Sequence, residues 1–378
     1  MKKHVLFLCS WYPNRYNATL GNFVANHASC AAKVAKVSTL FVCAGKEDFG
    51  EVYHTETSQT KEGILNVAVY YRDSGFLPLK LYRYLKAHWV GRHIIAGRRG
   101  GISLVHLHVI NPAGTVALLW SWLLGIRFII TEHSTAYLPG NAKSLGLFAK
   151  LLAKACLRNA ELLTVVSKNL GTNLAKLAKP KRLEILNNVV DETIFYPNFS
   201  KAASATFRFI HISTLVPDHK NPAGILRAFA QFAAKQSNIE LLIISDGEIE
   251  PIKQLAAELG VEELVKFRTT QPMEEIANEL RASNCLVLFS NYENMPVVIS
   301  EAWMCGLPVI TTDVGGIAEH LNVDNGILID KEDEMALNKA FETVIVFPDR
   351  FNSIAISEYA KGQFSSAAIA KKLEGLYA

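Results

Sequence analysis

Residues 290–320 read SNYENMPVVISEAWMCGLPVITTDVGGIAEH, and their punctuation decides the fold. The apolar run Cys285–Phe289 ahead of them has the length and composition of a buried strand. A polar loop carrying Glu293 follows. Pro296 then opens a helical segment, Val297–Cys305, that stops at Gly306. Proline suits the first helical position and glycine the position past the end. A second apolar strand, Pro308–Thr312, leads to Gly315-Gly316. Strand, loop, helix and strand make one βαβ unit of a parallel sheet.

The start of that helix carries the chemistry. The first amides of a helix lack internal partners and the helix dipole is positive there, so the end is suited to phosphate. Pro296 offers no N–H, which leaves the amides of Val297 and Val298. Glu293 and Glu301 lie on either side. If all eight steps between them were helical, they would stand ~12 Å apart. Paired glycosidase carboxylates need roughly 5 to 9.5 Å. One ligand held at both ends fits better: a diphosphate on the helix end, with one glutamate near each of two sugars.

Glu293, seven residues and Glu301, followed by AWMCGLPVITTDVGG, resemble the E-x7-E signature of the retaining family 4, or group 1, glycosyltransferases. The resemblance implies a GT-B fold: two Rossmann-like, doubly wound α/β domains facing across a cleft. It implies a nucleotide-diphosphate sugar as donor, a glycan or lipid-linked acceptor, retention of anomeric configuration, and no metal or other cofactor. The usual E-G-F-G is here Glu293-Asn294-Met295-Pro296, which removes one amide donor and two glycines.

Other positions match the family residue by residue. Thr131-Glu132-His133-Ser134 closes a strand, and the resemblance places His133 on the transferred sugar as a catalytic residue beside Glu293. Family members carry Arg and Lys six apart after the first strand of the second domain; here Thr214 stands in the arginine place and Lys220 in the lysine place. A lysine supplies a point charge to phosphate. The donor set is therefore Lys220, Thr214, Glu301, Asn294, Met295, Pro296, Val297, Val298 and Gly21. Gly21, in LGNF, has two open readings: a loop facing the donor, or a helix-entry glycine with no ligand. A core role for His133 also stays open.

Around this stretch the chain alternates strands and helices. Strands are expected over 4–10, 37–43, 64–71, 104–108, 127–130, 162–166, 207–213, 240–245, 265–269 and 326–330. The polar stretch 47–61 is expected to be a loop. The domains are expected at 1–195 (acceptor) and 196–350 (donor), joined by a linker over 193–206, with 351–378 crossing back onto the first.

The 378 residues are half hydrophobic and one fifth charged, enough for two packed cores. Six scattered cysteines without metal spacing read as buried free thiols, in keeping with a reducing cytoplasm. The apolar run in MKKHVLFLCS is short for a signal peptide and reads as a first strand. His106 and His108 face one way by alternation and read as structural. Phe76–Arg99 carries six cations and no acid. It reads either as an element on an anionic membrane surface, at the inner face of the cell membrane, or as a packed helix with a solvated basic face. Nucleic acid is not expected, because no recognition motif accompanies the charge. Two alternatives to a transferase stay open: a GT-B epimerase, and a non-catalytic glycan-assembly subunit.

Overall fold

The computed structural model describes residues 2–139, 141, 145–198, 206–269 and 271–378; residues 199–205 of the expected linker lie outside these. Contacts divide the chain into two units, Met1–Val189 with Ala367–Ala378, and Val190–Ser366.

The first unit runs β1 (His4–Cys9), α1 (Asn22–Val34), β2 (Lys36–Gly45), β3 (Tyr53–Gln59), β4 (Leu65–Arg72), α2 (Leu77–Arg99), β5 (Leu104–His108), α3 (Gly114–Leu124), β6 (Phe128–Glu132), α4 (Leu147–Asn159), β7 (Leu163–Val165), α5 (Lys168–Leu177) and β8 (Leu183–Ile185). The sheet order is β3-β4-β2-β1-β5-β6-β7-β8. Every pair is parallel except β3–β4. Buried along its whole length, β1 lies between β2 and β5. A strand covered on both faces reads as an unbroken apolar run, and HVLFLC nearly does.

β3 corrects the loop expected over 47–61. Its YHTETSQ pairs only with β4 and is largely exposed, so no apolar run marks it. Extended chain is favoured there by the β-branched Thr55 and Thr57. In α2, the buried residues Ala87, His88, Gly91 and Ile95 follow a helical period. A Cβ at Gly91 would stand 2.3 Å from Leu40 Cδ1, so α2 lies directly on β2. One face of the basic helix is thus core, while Phe76, Leu77, Leu81 and Tyr82 at its start remain exposed.

The second unit runs β9 (Phe207–Ile212), the single turn α6 (Pro217–Lys220), α7 (Pro222–Ala233), β10 (Ile239–Ser245), α8 (Glu250–Glu258), β11 (Val265–Thr269), α9 (Met273–Ala282), β12 (Cys285–Leu288), α10 (Val297–Met304), β13 (Val309–Thr312), β14 (Gly326–Ile329), α11 (Glu334–Val346) and α12 (Ser353–Phe364). All its strands are parallel, in the order β11-β10-β9-β12-β13-β14. That is the 3-2-1-4-5-6 order of a doubly wound dinucleotide-binding sheet. Phe209, Phe229, Phe232 and Phe341 form its aromatic centre.

The expected boundaries shift. The units meet at Val189–Val190 rather than after residue 195, and α12 stays with the second unit. Its Ser357 Oγ donates to Met304 O at 2.9 Å, and Val190 N donates to Phe364 O. Only α13 (Ser366–Tyr377) joins the first unit, where Ile369, Leu373 and Tyr377 pack into the core around β1 and α1.

Candidate functional site

In the second sheet the strand order reverses between β9 and β12. Ligands of such sheets bind outside the strand carboxyl ends at that switch point. β9 leads there into the turn ending at Lys220, and β12 into the loop holding Glu293. The two side chains form an ion pair. Glu293 Oε1 also accepts from Ser290 Oγ at 2.9 Å and lies 3.5 Å from His219 Nε2. His219 stacks on Tyr292, with centroids 4.3 Å apart. Burial raises the Glu293 carboxyl, but Lys220 and His219 together outweigh it and bring it down to about 2. Glu293 is therefore an anion held in the interior by a lysine. Sequence reasoning found both of these residues but missed Ser290 and His219.

Pro296 is the N-cap of α10, not its first helical residue, because its ψ of 128° is extended. Val297 and Val298 remain the first amides, with no acceptor inside the helix. The other end closes as expected. Gly306, at φ 79°, donates to Trp303 O, and Leu307 donates to Ala302 O. This double bond is a Schellman cap. Half-buried Glu301 lies on α10; among the described residues no hydrogen bond or ion pair reaches its carboxylate. Loss of hydration pushes it up to about 7.

Asn294 and Met295 are buried, and the carbonyl of Asn294 accepts from Gly316 N at 2.7 Å. Gly315, at φ 66°, is obligatory: a Cβ there would meet Glu293 O at 2.1 Å. Thr214 is exposed in the loop after β9, next to Leu215, whose φ is 54°.

In the first unit the order reverses between β1 and β5. His108 ends β5, and His133 follows β6. His108 Nδ1 faces His133 Nε2 at 3.4 Å, and both rings are held well below the usual histidine range by burial. His106, on the same side of β5, is bonded to Tyr377 Oη and Thr131 Oγ1. Its role is structural, as expected. Gly21 is the left-handed N-cap of α1, and a Cβ there would stand 2.7 Å from Trp11 O. That contact accounts for glycine without a ligand. Glu132, quoted above only as part of TEHS, is wholly buried and accepts three backbone amides. Among the described residues no group of three or more His, Cys, Asp or Glu could hold a metal ion. No described helix is long and apolar enough to cross a membrane.

Comparison with known proteins gives the family and the fold. Residues 196–358 match the family model for glycosyl transferases group 1, and residues 25–193 that for glycosyltransferase family 4. The D-inositol 3-phosphate glycosyltransferase of Corynebacterium jeikeium is 31% identical over 323 residues, covering 77% of this chain and 76% of its own. The N-acetyl-alpha-D-glucosaminyl L-malate synthase of Bacillus anthracis is 27% identical, covering 74% and 75%. Among solved structures, sucrose-phosphate synthase from Thermosynechococcus elongatus superposes with a TM-score of 0.79 at 19% identity, covering 99% of this chain and 98% of that one. Anabaena HepE in complex with UDP and glucose gives 0.75 at 17% identity, covering 100% and 99%.

Proposed function

This chain belongs to the group 1 glycosyltransferases and has their GT-B fold, and from that premise we propose that it transfers a sugar from a nucleotide diphosphate, with retention, to a glycan or lipid-linked acceptor. The observation that carries the donor reading is the Lys220–Glu293 pair at the switch point of a 3-2-1-4-5-6 sheet, four residues ahead of α10. Lys220 and the amides of Val297 and Val298 receive the diphosphate and stabilise it as leaving group. Glu301 takes the ribose hydroxyls: among the described residues its carboxylate has no partner to give up. Glu293, kept ionised, takes hydroxyls of the sugar. His133, in the first unit, is the second residue assigned to the sugar. UDP is the first nucleotide to test, since HepE binds it.

We also propose that α2 rests on an anionic membrane surface. Its exposed start combines Phe76, Leu77, Leu81 and Tyr82 with Lys80 and Lys86, and membrane-surface helices join apolar and basic groups in this way. Surface-glycan assembly at the inner face of the cell membrane would place such a helix there.

The test is turnover. UDP-, GDP- and ADP-sugars are screened by thermal shift, since a ligand bound only by the folded form raises its Tm. Those that bind are assayed for nucleotide release in the wild type, Lys220→Ala and Glu293→Ala. Activity that survives in both variants would overturn the site.

A further inference from the structure

Glu132 makes an unusual set of contacts for a residue that touches none of the proposed donor groups. Its Oε2 accepts from Ile110 N at 2.9 Å, and its Oε1 accepts from His133 N and Ser134 N, each at 2.9 Å. The first amide belongs to the turn after β5, the other two to the turn after β6. One carboxylate thus ties together two neighbouring strand ends at the ligand edge of the sheet. Among the described residues no lysine or arginine balances it. A buried carboxylate without a cation is costly, and amide donors are its main compensation.

The turn it holds is strained. Val109 has φ 63°, which is costly for a β-branched residue. Such a conformation persists only where its surroundings over-determine it, and it often marks a functional site. Here Val109 N donates to Thr131 O at 3.0 Å, Ser10 Oγ donates to Val109 O at 2.6 Å, and Ala113 N donates to Ser10 Oγ at 3.0 Å. The Ile110–Glu132 bond is the next link. His108 ends the same strand and presents Nδ1 to His133 Nε2, while its own Nε2 is buried with no partner among the described residues. The chain near His133 is therefore held twice, by its amide and by its ring.

We propose that Glu132 is the positioning residue of this transferase, holding His133 and the β5–α3 turn in working register only while its carboxylate is ionised. The proposal rests on His133 being a sugar-contacting residue. An ionised carboxylate can accept all three amides. Once protonated, one oxygen carries a hydrogen aimed at N–H donors, and at least one bond is lost. Burial pushes Glu132 up, the three amides pull it back, and it settles at about 7. The titratable groups that feel its charge are Tyr137, beyond β6, and Cys156, on α4.

The experiment follows the amide NMR signals of Ile110, His133 and Ser134 and the kcat for UDP-sugar turnover, both against pH, at saturating donor so that donor binding does not enter. The three amides are expected to titrate together near pH 7, and kcat to fall on the acid side with the same midpoint. In Glu132→Gln, kcat should lie between about ten- and a hundredfold below the wild-type alkaline plateau and stay there at every pH, as for a small misplacement of a reacting group. Its donor KM should stay within about twofold, and its acid limb should vanish. Wild-type kcat in Glu132→Gln, or a wild-type profile that ignores the amide titration, overturns the proposal. If Glu132→Gln does not fold, the wild-type comparison of kcat with the amides decides alone. His133→Ala separates the two ideas. If it keeps full kcat, the sugar role of His133 has failed and the positioning role falls with it. If it loses turnover while Glu132→Gln does not, only the proposal has failed.

Discussion

Lys220 and Glu293 stand 73 positions apart in the chain, yet their charges meet inside the second unit, with the carboxylate almost wholly enclosed. The two strands that deliver them, β9 and β12, are neighbours, and between them the strand order turns round. On the proposed donor site, a ligand with negative phosphates would share Lys220 with Glu293, so stability and donor binding would draw on one charge.

Lys220→Ala should cost about 3–5 kcal/mol, because it leaves a buried carboxylate unpaired. Urea denaturation of the two forms measures this. The folded-state value of Glu293 is lowered to about 2, so the pair's contribution is complete above the ordinary carboxylate value and is lost as pH falls through 2. In Lys220→Ala that acid dependence should shrink. An unchanged midpoint would show that the pair carries no stability.

Glu301 predicts a pH dependence of the opposite kind. Its carboxyl sits at about 7, and on the proposed donor site its ionised form is the one to accept ribose hydroxyls. UDP affinity should therefore rise between pH 6 and 8 by up to about tenfold, the gain in the ionised fraction. Glu301→Gln should keep only the smaller change due to UDP itself. Calorimetric titration at both pH values checks it.

Gly315→Ala places a methyl group against Glu293 O and forces an L side chain to φ 66°. Strain of about 1–3 kcal/mol is expected, together with a displaced Glu293 loop. Donor turnover should fall tenfold or more. Gly97→Ala, where nothing lies within 4 Å, is the control and should be neutral or slightly stabilising.

If α2 rests on anionic lipid, Lys80→Glu with Lys86→Glu should weaken sedimentation with phosphatidylserine vesicles and leave that with phosphatidylcholine vesicles unchanged. About 1 kcal/mol per cation is at stake. Equal binding before and after the reversal would return α2 to the role of a packed helix with a solvated face.

The parts of this fold that could be read in advance share a cause. Fully buried parallel strands such as HVLFLC are apolar throughout, and α10 is marked at both ends by Pro296 and Gly306. Glu293 and Lys220 are legible through the resemblance, by the E-x7-E spacing and the lysine place after β9. β3 is not, because an edge strand wet on both faces leaves no period of hydropathy. α9 was also passed over, its two buried residues, Ala277 and Leu280, being too few to outline a stripe. Glu132 carries no mark in sequence of the three amides it holds, since backbone partners have no letters of their own. The convergence of His219 and Ser290 on one oxygen is likewise a product of the turns, not of spacing.

The division of the chain has a bearing on biosynthesis. The first unit is written in two pieces, and its last helix, α13, is made after the whole of the second unit. Tyr377, in the last turn of α13, both fills the core around β1 and bonds His106. The second unit has all of its elements in one continuous run and can finish first. The earlier-made unit must then wait with an open seam beside α1 until α13 has been made. A released chain truncated after residue 366 should be cut by protease in the first unit and resist in the second.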